Sequence, residues 1–170
     1  MRPSILIAGV GNIFLGDDAF GVEAVRALAT RTLPEGVSVV DYGIRGFDLA
    51  YALLEPWDAV ILIDALSRGE TPGTLYTLEP DLWCMQATQS PDMMLNPHGM
   101  DPVRVLQLAF SMGTVNAHVY LVGCEPVDFG DELEGRMGLS EIVQSSIEEA
   151  VKMVENLVGS ILANSGMCPA

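Results

Sequence analysis

Asp18, Asp64 and His98 carry the types of side chain that could together bind a divalent metal ion. Asp18 lies in the glycine-rich stretch GVGNIFLGDDAFGVEAV (9–25), Asp64 in the apolar run AVILIDAL (59–66), and His98 in the loop sequence LNPHGMD. Two carboxylates and an imidazole suit a borderline ion such as zinc, nickel, iron or manganese. Spacing along the chain does not show that His98 lies near the two aspartates, so a metal site made of all three residues is a hypothesis.

The same residues also have structural interpretations. Asp64, in an apolar run, must be paired, hydrogen-bonded or bound to a metal, and backbone N–H groups of a neighbouring loop would satisfy it as well. Acidic side chains are favourable at a helix N-terminus. We therefore expect Asp17 to cap or orient the helix that follows, and Asp18 to remain free for a ligand. His118, which opens an apolar strand, is assigned a structural role.

A dinucleotide site is the competing interpretation of the glycine-rich stretch. Gly9 and Gly11 fit the first two positions of the G-x-G-x-x-G pattern, but Phe14 occupies the third. Asp17 and Asp18 facing a pyrophosphate would weaken binding, because a helix N-terminus in such a site binds an anion. Nucleotide binding is therefore the disfavoured alternative.

Strand and helix patterns alternate along the chain. They predict an α/β fold, a three-layer α/β/α sandwich around a mostly parallel five-stranded sheet. The fourth strand is expected to be antiparallel, because only a Pro-Gly turn precedes it. The C-terminal helix is predicted to bury one face, made of Ile142, Ile147, Val151, Val154 and Val158. The predicted strands are 4–10, 37–43, 59–66, 74–80 and 117–126, and the predicted helices are 18–33, 47–54, 101–113 and 139–163.

The predicted topology brings the acidic residues to one edge of the sheet. Ligands of open parallel sheets bind beyond the carboxyl ends of the strands, where the strand order reverses. If the order is 2-1-3, Asp18 and Asp64 flank one crevice, and Asp41, near the end of the second strand, lies next to them.

Length and charge limit the classes of protein to consider. The 170 residues suffice for one domain, expected to span 1–164 as a single catalytic domain with a flexible tail at 165–170. With 8 basic and 23 acidic residues the net charge is -15, so nucleic acid is a poor partner. Three widely spaced cysteines, the absence of a signal-peptide pattern and the lack of a long apolar run favour a cytoplasmic protein without membrane insertion. We expect a monomer.

Six motifs, in order, resemble those of the hydrogenase maturation endopeptidases: GVGNIFLGDDAFGV, DYGIRGFDL, ILIDAL, PGT, NPHGM and LVGCEP. The resemblance runs from about Ile5 to Pro126. It implies an endopeptidase that removes a short C-terminal extension from a nickel-iron hydrogenase large-subunit precursor after nickel insertion. The family's metal-contacting positions fall on Asp18, Asp64 and His98, and Asp41 matches an acid of the second-strand motif. In that family the nickel belongs to the substrate, so a resting enzyme without metal is compatible with it.

Two positions depart from the family pattern, and three questions stay open. Many members have Glu at the position of Asp18, and the second-strand motif often reads Asp-Gly-Gly where this chain has Tyr42 as the middle residue.

The route of hydrolysis has two alternatives. It follows either from metal polarisation of the carbonyl or a bound water, or from Asp41 as a general base. A non-catalytic nickel-binding chaperone would use the same ligands. The segment 82–95, with Trp83, Met85, Met93 and Met94, is expected either to fill the core or to contact the substrate tail.

Overall fold

The computed structural model describes residues 3–82, 101–130 and 133–165. A short 3-10 helix, Gly16–Ala19, precedes the first α-helix. His98, the segment 83–95 and the tail 166–170 lie outside the described residues. The strands are Ile5–Val10 (β1), Val37–Gly43 (β2), Ala59–Ala65 (β3), Leu75–Leu78 (β4) and His118–Cys124 (β5), and the helices are Phe20–Leu28 (α1), Gly46–Ala52 (α2), Pro102–Met112 (α3) and Glu141–Ser165 (α4).

The five strands form one sheet in the order β2-β1-β3-β5-β4. β1 pairs in parallel with β2 and β3, β3 pairs in parallel with β5, and β4 is antiparallel to β5. Every residue of β1 and of β3 is buried, as expected of central strands that are covered on both faces. The predicted mixed sheet, its antiparallel strand and the reversal of order between β1 and β3 are therefore confirmed.

Helices cover both faces of the sheet, as the predicted three-layer sandwich requires. α1 and α4 pack on one face around a core that includes Phe20, Leu28 and Val151. α2 and α3 pack on the other, with Leu49 and Leu106 among the buried side chains. Apolar side chains from alternate positions of each central strand contribute to each core, so both faces of the sheet are stabilised by removal from water.

The helix predicted for 18–33 is shorter in the structure, because α1 ends at Leu28. The backbone continues through 3-10-type turns in which Thr30 N–H donates to Ala27 O and Arg31 N–H donates to Leu28 O. The Thr30 hydroxyl also donates to Ala27 O, at 2.7 Å. A threonine hydroxyl that bonds to a nearby carbonyl competes with the regular helical pattern, which accounts for the early end.

The predicted buried face of α4 is right except at its first residue. Ile147, Val151, Val154 and Val158 are buried, but Ile142 is 52% exposed and was assigned wrongly. Val143 is buried instead, because 143, 147, 151, 154 and 158 continue one helical stripe whereas 142 lies off it. Within the described ranges, no helix combines the length and hydrophobicity needed to cross a membrane.

Candidate functional site

The reversal of strand order brings Asp18 and Asp64 together at the carboxyl edge of the sheet. Asp64 is the second-last residue of β3, and Asp18 lies in the 3-10 helix that follows β1. A Cβ atom on Gly11 would lie 1.8 Å from Asp18 O, and one on Gly21 would lie 2.1 Å from Ile63 O. Since no side chain larger than hydrogen fits at either position, the glycines allow the start of α1 to approach both strand ends.

Both carboxyl groups titrate abnormally. Burial raises the pKa of Asp64 well above its usual value, and the negative charges of Asp18 and Asp101 raise it further, against one hydrogen bond from Ala65 N–H at 2.8 Å. Burial also raises the pKa of Asp18, although its Oδ2 accepts a hydrogen bond from Asn12 N–H at 2.7 Å. Burial is the leading cause of both pKa shifts, because it removes the water that would solvate the charged form, and repulsion by neighbouring charges adds to the shift of Asp64.

This arrangement is suited to a cation. Without one, Asp64 retains its proton to a higher pH than an exposed carboxyl does, because burial disfavours its charged form and ionisation would place a second charge near Asp18. A divalent ion that reached both oxygens would displace that proton and remove the repulsion. Within 3–82, 101–130 and 133–165, no three His, Cys, Asp or Glu side chains are grouped closely enough to hold a metal. His98, the third predicted ligand, lies outside these ranges.

Asp41 lies in a cleft beside the loop that carries Asp18. Its side chain is 40% exposed and forms an ion pair with Arg26 at 3.6 Å. The cleft has a volume of about 360 Å³ and opens to solvent. Neither Asp18 nor Asp64 lines it, but Gly11 and Asn12 belong both to this cleft and to the Asp18 loop. The other lining residues are Ile13, Phe14, Val22, Tyr42, Gly43, Ile44 and Arg45.

Asp17 does not cap the helix that follows it, so the capping part of that prediction is wrong. Neither the 3-10 helix nor α1 has a side-chain hydrogen bond at its N-cap. The Asp17 side chain is fully buried, and its carboxylate accepts hydrogen bonds from Val127 and Ser140. These partners stand 110 and 123 residues further along the chain, and no local pattern could have indicated them.

Glu125 is a buried carboxylate that the sequence analysis missed. Its oxygens accept hydrogen bonds from Ser67 Oγ (3.0 Å), Arg68 N–H (2.7 Å) and Gly69 N–H (3.2 Å). Burial opposes ionisation, but these bonds outweigh it and lower the pKa of Glu125. Glu125 therefore anchors residues 67–69, the start of the loop that follows β3 and lies a few residues after Asp64 in the chain.

Asp101 is a second missed residue. Its Oδ1 accepts a hydrogen bond from Arg104 N–H at 2.9 Å, so it is the N-cap of α3. Its charge also contributes to the raised pKa of Asp64. The Asp-Pro pair at the start of a helical pattern is typical of an N-cap followed by a proline at the first helical position, and that signal could have identified its capping role.

Comparison with known proteins identifies the family. The family described as HycI, hydrogenase maturation protease, matches residues 22–157, a range that contains Asp41, Asp64 and His98 but begins after Asp18. The hydrogenase expression/formation protein HupD of Rhodobacter capsulatus is 32% identical over 98% of this chain and 80% of its own length. The hydrogenase 2 maturation protease of Escherichia coli is 34% identical over 88% of this chain and 87% of its own length.

Solved structures agree with this assignment. The hydrogenase maturating endopeptidase HybD of Escherichia coli has a TM-score of 0.69 at 29% identity, covering 92% of this chain and 93% of its own. The hydrogenase 2 maturation peptidase of a Thaumarchaeota archaeon has a TM-score of 0.68 at 30% identity, covering 92% and 98%. The resemblance that the sequence motifs indicated is confirmed. The chain belongs to the hydrogenase maturation protease family and is an endopeptidase.

Proposed function

We propose that this endopeptidase removes the C-terminal extension of a nickel-iron hydrogenase large-subunit precursor after nickel insertion, and that it recognises the nickel that the precursor carries. The observation that supports this proposal is the placement of Asp18 and Asp64 at the point where the strand order reverses, where the charge of Asp18 helps to raise the pKa of Asp64. Burial and neighbouring carboxylates both disfavour ionisation of Asp64. A cation carried by the substrate would therefore stabilise the ionised form of this site.

Each proposed residue has a distinct task. Asp18 and Asp64 contact the nickel through carboxylate oxygens, and His98 contacts it through an imidazole nitrogen, a donor set that suits this ion. Asp64 loses its proton as the precursor docks. The scissile peptide bond is thereby placed at the edge of the sheet, next to the cleft that contains Asp41.

Two routes to hydrolysis are compatible with this placement. In the first, the substrate's nickel polarises the scissile carbonyl or a water molecule. In the second, Asp41 acts as a general base on a water molecule, to which its cleft gives solvent access. The proposal includes a monomeric, cytoplasmic enzyme with one catalytic domain over 1–164, and a precursor protein, not nucleic acid, as its partner.

The direct test is to incubate the protein with nickel-loaded precursor and with nickel-free precursor, and to determine the product masses by mass spectrometry. We expect the nickel-loaded precursor alone to lose its C-terminal extension. A nickel-loaded precursor that binds but keeps its full mass would refute the protease assignment to this substrate and would support the chaperone alternative. Equal cleavage of both precursors would refute recognition of nickel.

Variants test the individual residues. Asp18→Asn, Asp64→Asn and His98→Ala are each expected to abolish processing. Asp58→Asn is the matched control, because Asp58 precedes β3 at the opposite edge of the sheet from Asp64 and should leave processing unchanged. Asp41→Asn separates the two routes: a loss of about 100-fold or more in kcat is expected of a general base, whereas an unchanged kcat indicates the metal-polarised route.

A further inference from the structure

The fully buried carboxylate of Asp17 joins three segments of the chain. It accepts hydrogen bonds from Val127 N–H at 2.8 Å, from Ser140 N–H at 2.6 Å and from Ser140 Oγ at 3.0 Å. Val127 follows β5, and Ser140 immediately precedes α4. All these donors are neutral and their bonds are partly buried, so a group at position 17 that cannot accept them leaves the donors without the partner that the buried carboxylate provides.

A second set of contacts holds the loop that immediately precedes Asp17. Leu15 and Arg136 form a parallel β-bridge, in which Gly16 N–H donates to Arg136 O and Arg136 N–H donates to Phe14 O, both at 2.7 Å. The Arg136 guanidinium is in turn paired with Asp128 at 2.9 Å. The loop before Asp17 and the Asp17 carboxylate are therefore both attached to the 127–140 segment, of which the structure describes 127–130 and 133–140.

Asp18 has little freedom between these attachments and the sheet. Its backbone oxygen packs against Gly11, where a Cβ atom would lie only 1.8 Å away. Its side chain accepts the Asn12 N–H bond at 2.7 Å. The direction of the Asp18 carboxylate therefore depends on how firmly the neighbouring residue 17 is held.

We propose that Asp17 is a positioning residue of the active site: its buried carboxylate anchors the 3-10 helix to the 127–140 segment and thereby keeps Asp18 beside Asp64. The kinetic part of this inference rests on the proposed function, whereas the structural part does not. Nickel bound by the precursor can be contacted by Asp18 and Asp64 together only if their separation is maintained. A displacement of about 1 Å in such a site is enough to reduce turnover about 100-fold.

Three substitutions separate positioning from general stability. Asp17→Asn keeps the shape of the side chain but turns one acceptor into a donor that faces the donors of Val127 or Ser140. Ser140→Ala removes only the hydroxyl donor and keeps the carboxylate. Leu28→Ala is the control, since Leu28 is fully buried at the opposite end of α1 and its truncation loosens the core far from residue 17.

The first measurement is amide hydrogen exchange at Asn12, whose N–H reports on the Asp18 carboxylate, relative to exchange at Ile7 in β1. In Asp17→Asn we expect the Asn12 amide to exchange about tenfold faster relative to Ile7, with a smaller change in the same direction in Ser140→Ala. In Leu28→Ala, both amides should accelerate together and their ratio should stay constant.

The second measurement is processing of nickel-loaded precursor, corrected for the folded fraction. Asp17→Asn should lower kcat about tenfold or more and also raise KM, because Asp18 contacts the nickel through which the precursor docks, whereas Leu28→Ala should leave both values per folded molecule unchanged. A merely structural role of Asp17 would give both variants the same behaviour.

The outcomes are separable. Wild-type values of both the exchange ratio and kcat in Asp17→Asn would overturn the positioning role and leave the proposed function standing. If the wild-type protein does not cleave the precursor, the proposed function fails, and the exchange ratio alone decides the role of Asp17. If Asp17→Asn does not fold, Ser140→Ala decides it: faster relative exchange at Asn12 supports the inference, and an unchanged ratio overturns it.

Discussion

Replacing Gly21 by alanine tests whether the close approach of α1 to the strand ends holds the candidate site together. The added Cβ atom would lie 2.1 Å from Ile63 O and 2.3 Å from Val10 O. Ordinary contacts between heavy atoms are about 3.5–4.0 Å, so α1 and the strands must separate by more than about 1 Å. Both obstructing atoms are backbone carbonyls of central strands, which cannot rotate away as a side chain can.

The expected cost follows from this geometry. Overpacking a core costs about 1–3 kcal/mol, and we expect the upper end here because backbone must move. Gly159→Ala is the matched control: Gly159 is exposed within α4, and nothing lies within 4 Å of its added Cβ. Alanine should stabilise that helix by about 0.5–1 kcal/mol. Both substitutions replace a helical glycine by alanine, so the gain in helix propensity is common to both. The difference between their changes in the free energy of unfolding, about 3 kcal/mol, therefore measures the steric clash at Gly21.

Urea unfolding followed by circular dichroism measures both free energies, and precursor processing measures the consequence for the site. We expect Gly21→Ala to lower the free energy of unfolding and, in the fraction that remains folded, to reduce processing, because Asp18 moves away from Asp64. Gly159→Ala should raise stability and leave processing intact. If Gly21→Ala proves as stable as the wild-type protein, the glycine contact does not position α1, and our account of the site geometry fails.

Three further substitutions test individual interactions. Asp64→Asn should raise stability at pH 7. Because the pKa of Asp64 is raised by folding, the folded protein keeps a proton that the unfolded chain has already lost. The free energy of unfolding of the wild-type protein therefore falls as pH rises from about 4 through the folded pKa, whereas an asparagine does not titrate. The gain should be about 1.4 kcal/mol for each unit by which that pKa is raised, and a gain that does not grow with pH in urea titrations would contradict this. Asp101→Ala should cost about 1 kcal/mol in thermal unfolding, because Arg104 N–H loses its acceptor, and an unchanged midpoint would refute the cap. Tyr76→Phe should also cost about 1 kcal/mol, since the hydroxyl donates to Leu66 O at 2.5 Å, and a neutral substitution would show that this bond adds nothing.

The fold class and the meeting of Asp18 with Asp64 were predictable from the chain. Strands that are buried on both faces are continuous apolar runs, and short crossovers between parallel strands allow few topologies. Once β1 and β3 are adjacent and parallel, residues at their carboxyl ends must lie close together. The hydrophobic pattern of the strands and the right-handedness of parallel crossovers therefore suffice to predict that Asp18 and Asp64 lie near each other.

Other features depend on contacts between distant segments, which no local pattern encodes. The partners of Asp17, the exposure of Ile142 and the separate cleft of Asp41 follow from how the 127–140 segment, α4 and β2 pack in three dimensions. His98 stays a prediction from the motif alone. The chain's hydrophobic pattern thus specifies which elements form and which strand ends adjoin, whereas the environment of each buried charge arises only after those elements have packed, because solvation and hydrogen bonding depend on neighbours far away in sequence.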